Sequence, residues 1–250
     1  MKKGDYILSE FDTKESKLKI LFCAYRDWAI SAVEMIHKNI QNMEFKIIHS
    51  KKEYDDYFNN AQVDLKLDYI ILIGWSWIIS KDILKRYNVI GMHPSDLPFY
   101  RGGSPIQHQI IKGLNKTKIT LMQISDEKID GGDILLKEDW NMSGNTMDII
   151  LSNLAIATAD LITEFIINHK NIVPQKQDFA IGSYYNRRKP EDSELTLEKL
   201  RTMTLRELYN FIRALSDPYP NAYIKDEYGN ILKFKVVEYI ENNTEDTSND

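Results

Sequence analysis

Two short segments hold most of the residues whose types could do chemistry. Gly91 to Pro105 (GMHPSDLPFYRGGSP) brings a histidine, two prolines ahead of a glycine pair, and an arginine together within fifteen residues. Ser125 to Asp133 (SDEKIDGGD) carries four carboxylates, a lysine and two glycines. Imidazole gains and loses a proton near neutral pH, and a carboxylate beside it orients the ring and balances its charge. Contact between His93 and an acid of the second segment would therefore make a pair suited to proton transfer. His37, His49, His108 and His169 lack a comparable setting, although His108 is close in sequence to the first segment. The single cysteine, Cys23, excludes an internal disulfide and any multi-cysteine metal site. It lies in an apolar run and reads as packing.

Both segments follow apolar runs, and the elements around them form a pattern. Lys19 to Tyr25 reads as a strand, and Ile30, Val33, Ile36 and Ile40 then recur at spacings of three and four, as a helix with one buried stripe requires. Phe45 to Ile48, Tyr69 to Gly74 and Val89 to Met92 read as further strands, with Lys81 to Tyr87 as a short helix between the last two. Continuous rather than alternating apolar strands fit a parallel sheet covered on both faces. Pro105 to Gly113 predicts a helix ended by its glycine; Ile119 to Ile124 and Asp133 to Leu136 predict two strands, and Asn145 to Asn168 a long helix. The expectation is a doubly wound, Rossmann-like and mostly parallel α/β sheet over residues 1–182, with ligands at the carboxyl ends of its strands. Residues 183–240 predict a small helix-plus-hairpin subdomain, broken at Asp217-Pro218 and turning at Tyr228-Gly229-Asn230. The last ten residues hold four acids and no base or apolar side chain, an acidic tail expected to be disordered.

Charge narrows the partners. The 250 residues carry 32 Lys and Arg against 37 Asp and Glu, a formal charge of −5, without the electrostatic footprint of a nucleic-acid binder. With the tail set aside, 32 cations face 33 anions and the body is nearly neutral. The longest apolar stretch is read as Tyr69 to Ile79, short of the about 18 residues a membrane span needs, and the first residues have no apolar signal core. The reading is a cytoplasmic protein with neither membrane nor nucleic acid as partner.

The string His93-Pro94-Ser95-x-Leu97-Pro98-x-Tyr100-Arg101-Gly102, then Ser104-Pro105-Ile106-Gln107, then Ile129-Asp130-x-Gly132-Asp133, resembles the signature of the N10-formyltetrahydrofolate-dependent formyltransferases. The interval between histidine and acid is also similar to that family's. The likeness covers about residues 18–190, and Gly74-Trp75-Ser76-Trp77-Ile78-Ile79 resembles the family's folate-side loop. Within the family the chain looks most like the sugar N-formyltransferases acting on nucleotide-linked amino sugars. Tyr185 to Asp192 and Arg213 to Tyr223 resemble the short carboxyl-terminal part of those enzymes.

The resemblance implies that a neutral amine attacks the formyl carbon and that the resulting oxyanion collapses to release tetrahydrofolate. His93 matches the family's catalytic histidine and Asp130 the carboxylate that assists it; no metal is implied. One position departs from the pattern. The family usually has an asparagine two residues before the histidine, whose amide donates to the oxyanion, and here that residue is Gly91. Loss of such a donor typically costs about 10²–10³ in rate. Asn88, five residues from His93 along a strand, points to the opposite face, so a substitute donor is expected: a backbone N–H, protonated His93 or an ordered water. The folate side is expected to include Ser76, Trp77, Ile78, Asp126, Lys128 and Asp133. The nucleotide-sugar side is expected to include Arg26, Ser95, Tyr100, Arg101, Gly102 and Tyr223, with Arg26 and Arg101 on a diphosphate and Tyr219 or Tyr223 against the base.

The implied reaction is formyl transfer to the amine of a UDP- or dTDP-linked deoxy amino sugar, for surface polysaccharide or glycoprotein glycans, by a possible homodimer. The alternatives are formylation of methionyl-tRNA or of a carrier-bound amino acid, hydrolysis of formyl-folate, and folate binding without turnover. A tRNA enzyme is expected to carry a longer, basic carboxyl-terminal domain. A purine-pathway enzyme is expected to show a glycine-rich phosphate turn where this chain has Ala24-Tyr25-Arg26-Asp27-Trp28.

Overall fold

A computed structural model describes residues 17–40, 42–59 and 66–242. In chain order its main elements are β1 (Leu18–Ala24), α1 (Asp27–Asn39), β2 (Met43–Ile48), α2 (Lys51–Asn59), β3 (Tyr69–Ile73), α3 (Lys81–Arg86) and β4 (Val89–His93). Then come β5 (Arg101–Gly102), α4 (Pro105–Ile111), β6 (Lys116–Gln123), β7 (Ile134–Asn141), α5 (Met147–Asn168) and β8 (Tyr184–Tyr185). The chain continues through α6 (Leu197–Thr202), α7 (Leu205–Ala214), β9 (Ala222–Lys225) and β10 (Ile231–Phe234). The main sheet has the order β2-β1-β3-β4-β6-β7.

The strands β1, β3 and β4 are apolar over most of their length because both faces of the sheet are covered. Ile20, Phe22, Ile71, Ile73, Ile90 and Met92 face a core shared with α1 and α5. Leu21, Cys23, Ile70, Leu72 and Val89 face a second core closed by Tyr54 of α2 and Ile83 of α3. Full burial of each such aliphatic side chain is worth about 1.5–3 kcal/mol. The four strands from β2 to β4 are parallel, as the sequence predicts. β6 and β7 are antiparallel to their neighbours. Only the loop 124–133 joins them, too short for the crossover that parallel strands require.

Several elements differ from the expectation. α2 is nearly all polar and buries a single residue, Tyr54, so it leaves little periodic signal. β6 and β7 extend beyond their apolar centres into charged sequence, including Lys137, Glu138 and Asp139. The most apolar long segment is α5 rather than Tyr69 to Ile79. It is long and apolar enough to cross a membrane by length and composition, but twelve of its residues, from Met147 to Ile166, are buried in the protein's own core. The carboxyl-terminal helix and hairpin share that core through Phe211, Ile212, Leu215 and Ala222. Buried Arg213 fastens them by donating to the carbonyls of Met142 and Gly144 and to the side-chain oxygens of Asn115 and Asn210. Of the acidic tail, residues 243–250 lie outside the described residues.

Candidate active site

His93 ends β4, and Pro94 follows it into the loop that carries β5 and α4. Because β6 runs antiparallel to β4, its last residue, Gln123, pairs with Ile90 and not with His93. The 124–133 loop turns back along the sheet to bring Asp130 to the histidine. Thus the two loops do meet, although not as neighbours at the carboxyl ends of parallel strands.

The His93 ring is buried. Its Nε2 lies 2.9 Å from the Tyr100 carbonyl oxygen and its Nδ1 lies 3.5 Å from Asp130 Oδ2. A carbonyl can only accept, so Nε2 carries the hydrogen and donates it. Nδ1 is then the nitrogen free to take a proton, with the carboxylate beside it to balance the charge. Asp130 Oδ2 also accepts from the Gly102 N–H at 2.8 Å, which ties the two loops together. Tyr100 and Asp130 are both left-handed, at φ 55° and 50°. Such a backbone costs about 1–2 kcal/mol in a non-glycine residue, and here these two residues present the groups that flank the imidazole.

A cavity of about 790 Å³ opens over His93 and Asp130. Sequence comparison gives its lineage. The family model described as "Formyl transferase" matches residues 10–149. The chain belongs to the formyl transferase family. It is 34% identical over 182 residues to the methionyl-tRNA formyltransferase of Rickettsia typhi, covering 70% of this chain and 57% of that one. The chain therefore spans little more than half the length of that relative. The solved methionyl-tRNA formyltransferase from Clostridium thermocellum is 31% identical at a TM-score of 0.71, covering 89% of this chain and all of that one. A 4-N formyltransferase from Francisella tularensis superposes with a TM-score of 0.71 at 21% identity, covering 90% of this chain and all of that one.

In this formyltransferase fold the cavity has two sides. On one, Ser76, Trp77 and Ile78 line it as expected, together with Asp126 and Lys128. Tyr25 shares a 2.8 Å hydrogen bond with Ser76 and packs at 4.8 Å against Trp77, which fixes the loop after β3. The Trp75 indole N–H is buried without a partner. Asp126 pairs with Lys81 at 3.0 Å, and that hydrogen bond holds its carboxyl below the usual range. Asp133 is not in the lining; its carbonyl is taken by the Gln123 N–H.

On the other side, Arg26, Gly102 and Tyr219 line the cavity. The Arg26 guanidinium stacks on Tyr25 at 5.0 Å and lies 5.8 Å from the Tyr219 ring. Burial pushes the Tyr219 phenol up, while Arg26 and, more weakly, Arg187 pull it the other way. Arg187, which the sequence reading passed over as a ligand, lines the same cavity. Its backbone crosses so close to Gly103 that a Cβ there would overlap it. Among the described residues neither Arg26 nor Arg187 has a carboxylate partner.

Four expected acceptor residues lie outside the lining. Ser95 is fully buried and its hydroxyl donates to the Phe99 carbonyl at 2.7 Å, closing the turn after His93. Arg101 is buried with its guanidinium 4.7 Å over Phe179. Tyr100 stacks on Tyr185 at 5.3 Å and contributes its carbonyl, not its ring, to the site. Tyr223 belongs to β9, paired with Lys233 of the hairpin.

Gly91 lies two residues before His93 on the same strand, and its neighbourhood is filled. A Cβ at Gly91 would meet Ile124 Cδ1 at 2.6 Å and Leu72 Cβ at 3.9 Å. The place of the family's amide is occupied by hydrocarbon.

Proposed function

We propose that this chain transfers a formyl group from N10-formyltetrahydrofolate to the amine of a UDP- or dTDP-linked deoxy amino sugar, for surface glycan synthesis in the cytoplasm. The observation that carries the reading is the cavity over His93 and Asp130, with indole and aliphatic side chains on one side and, on the other, two arginines that lack carboxylate partners among the described residues. Trp77, Leu72 and Ile124 suit a flat heteroaromatic donor. Arg26 and Arg187 suit a diphosphate, which prefers guanidinium forks, and Tyr219 beside them offers a ring to the base. Gly102 and the folate-side residues Ser76, Trp77, Ile78, Asp126 and Lys128 remain in the assignment.

His93 Nδ1 takes the proton that the attacking amine sheds, with Asp130 beside the resulting imidazolium, and returns it to the departing folate nitrogen. The bond formed is amine nitrogen to formyl carbon; the bond broken is formyl carbon to folate N10. The same imidazolium N–H is the donor assigned to the developing oxyanion, since Gly91 supplies none.

A second reading, formylation of methionyl-tRNA, is favoured by the names of the relatives that exceed 30% identity. Incubation with formyl-tetrahydrofolate and a panel of UDP- and dTDP-linked amino sugars, against methionyl-tRNA, read by mass, separates the two. A 28 Da gain on a nucleotide sugar, lost in His93→Ala and Asp130→Ala with folding intact, is expected. Formylation of tRNA alone would reject the sugar. Folate release without any amine would point to hydrolysis, and tight folate binding with no release to a protein without turnover.

A further inference from the structure

Residues 175–185 cross between the two loops of the site and bind both. Gln175 exchanges two backbone hydrogen bonds with Ile134, at 2.7 and 2.8 Å. The buried Gln177 amide donates to the Asp130 carbonyl at 2.9 Å and to the Gly132 carbonyl at 2.8 Å. Farther along, the Ser183 hydroxyl accepts from the Tyr100 N–H at 2.9 Å, and its carbonyl accepts from the Arg101 N–H at 3.0 Å. Phe179, between these points, lies under Arg101 on one loop and Lys128 on the other.

Of the left-handed non-glycine residues described, Tyr100, Ser104 and Asp130, the strap grips the first and the last. Backbone strain of this kind persists only where surrounding structure over-determines it. Among the described residues Gln177 is the one side chain that donates to the Asp130 carbonyl, so it acts, with the Gly102 N–H on the carboxylate, on where that group hangs relative to His93 Nδ1. We propose that Gln177 is a positioning residue for the formyl transfer reaction, acting through Asp130, and that residues 175–185 as a whole set the geometry of the pair. The inference rests on His93 and Asp130 working together as proposed above.

The test uses the full chain labelled with [15N]histidine, so that the His93 ring is read without an acceptor. Gln177→Met is expected to move the His93 Nδ1 resonance in the direction that Asp130→Ala moves it, and to add nothing in the Asp130→Ala background. Tetrahydrofolate binding, followed by tryptophan fluorescence, is expected to stay within about threefold, because Gln177 does not line the cavity. With an acceptor present, kcat is expected to fall roughly tenfold to a hundredfold, with KM for the formyl donor unchanged. Gln177→Glu, of the same shape, serves if the Met variant fails to fold. It can donate only when protonated, so its deficit relative to the parent should shrink as pH falls through the carboxyl range. An unmoved His93 resonance in a folded Gln177 variant, or equal losses with and without Asp130, overturns the inference alone. An Asp130→Ala protein with unchanged ring and rate overturns the pairing itself, and the inference with it.

Discussion

Ile124 against Gly91 makes a quantitative prediction about why the usual amide is missing. An asparagine Cβ at position 91 would stand 2.6 Å from Ile124 Cδ1, well inside the 3.4 Å of ordinary contact, while Cγ1 is already at 3.5 Å. The end of one flexible side chain therefore has to move before the residue fits. Gly91→Asn alone should destabilise by about 1–3 kcal/mol through overpacking. Ile124→Val removes the blocking atom and alone should cost about 0.5–1.5 kcal/mol. The double variant should be about as stable as Ile124→Val, a coupling of about 1–3 kcal/mol between contacting residues. Urea denaturation of the four proteins at 25 °C measures each value. Additive losses would refute the steric account. The same double variant tests the oxyanion assignment: if the imidazolium formed on proton transfer serves as the donor, kcat should rise by less than about tenfold. A gain near the 10²–10³ associated with one such donor would show that the parent lacks a donor there.

Four further outcomes follow from the geometry. Arg26→Ala and Arg187→Ala should each raise the acceptor KM by about tenfold or more while leaving the KM for formyl-folate unchanged, as initial-rate kinetics would show. His108 stacks on Tyr185 at 4.6 Å, and burial lowers its pKa below the ordinary 6.5, so the unfolded chain binds the proton more tightly. Its contribution to stability is complete above that value and declines as pH falls below it; His108→Phe should flatten this part of a stability-against-pH curve. Cys23 is fully buried and its thiol is pushed up to about 12, so iodoacetamide at pH 8 should label it only as fast as the protein unfolds. Arg213→Met should cost at least about 3 kcal/mol in urea denaturation, because buried carbonyls of Met142 and Gly144 lose their donor.

Legibility in the sequence followed burial. β1, β3 and β4 are apolar on both faces and could be read without ambiguity, and so could the stripe of α1. α2 exposes most of its surface and could not. The direction of β6 and β7 had a signal that periodicity ignores, the ten residues between them with no helix. In the site, His93 and Asp130 stood out because glycines and prolines around them mark loops with fixed shapes. Arg101 misled because a cation in a motif-bearing loop looks like a ligand, whereas its side chain turns under Phe179. Arg187 carries no such signal, since nothing local in Asn186-Arg187-Arg188-Lys189 distinguishes a ligand from a solvated charge. Gln177 had no signal at all: its role lies in two carbonyls about 45 positions earlier.

That distance along the chain has a consequence during synthesis. His93 and Asp130 leave the ribosome well before Ser183, and until the strap arrives the left-handed Tyr100 and Asp130 lack two of the hydrogen bonds that brace them. The signature residues are made early, and their mutual geometry is completed late. A chain that stops short of residue 185 would carry every motif of the signature without the hydrogen bonds that brace it, and the cavity residues Arg187 and Tyr219 lie farther along still, so a fragment bounded by the signature is shorter than the site.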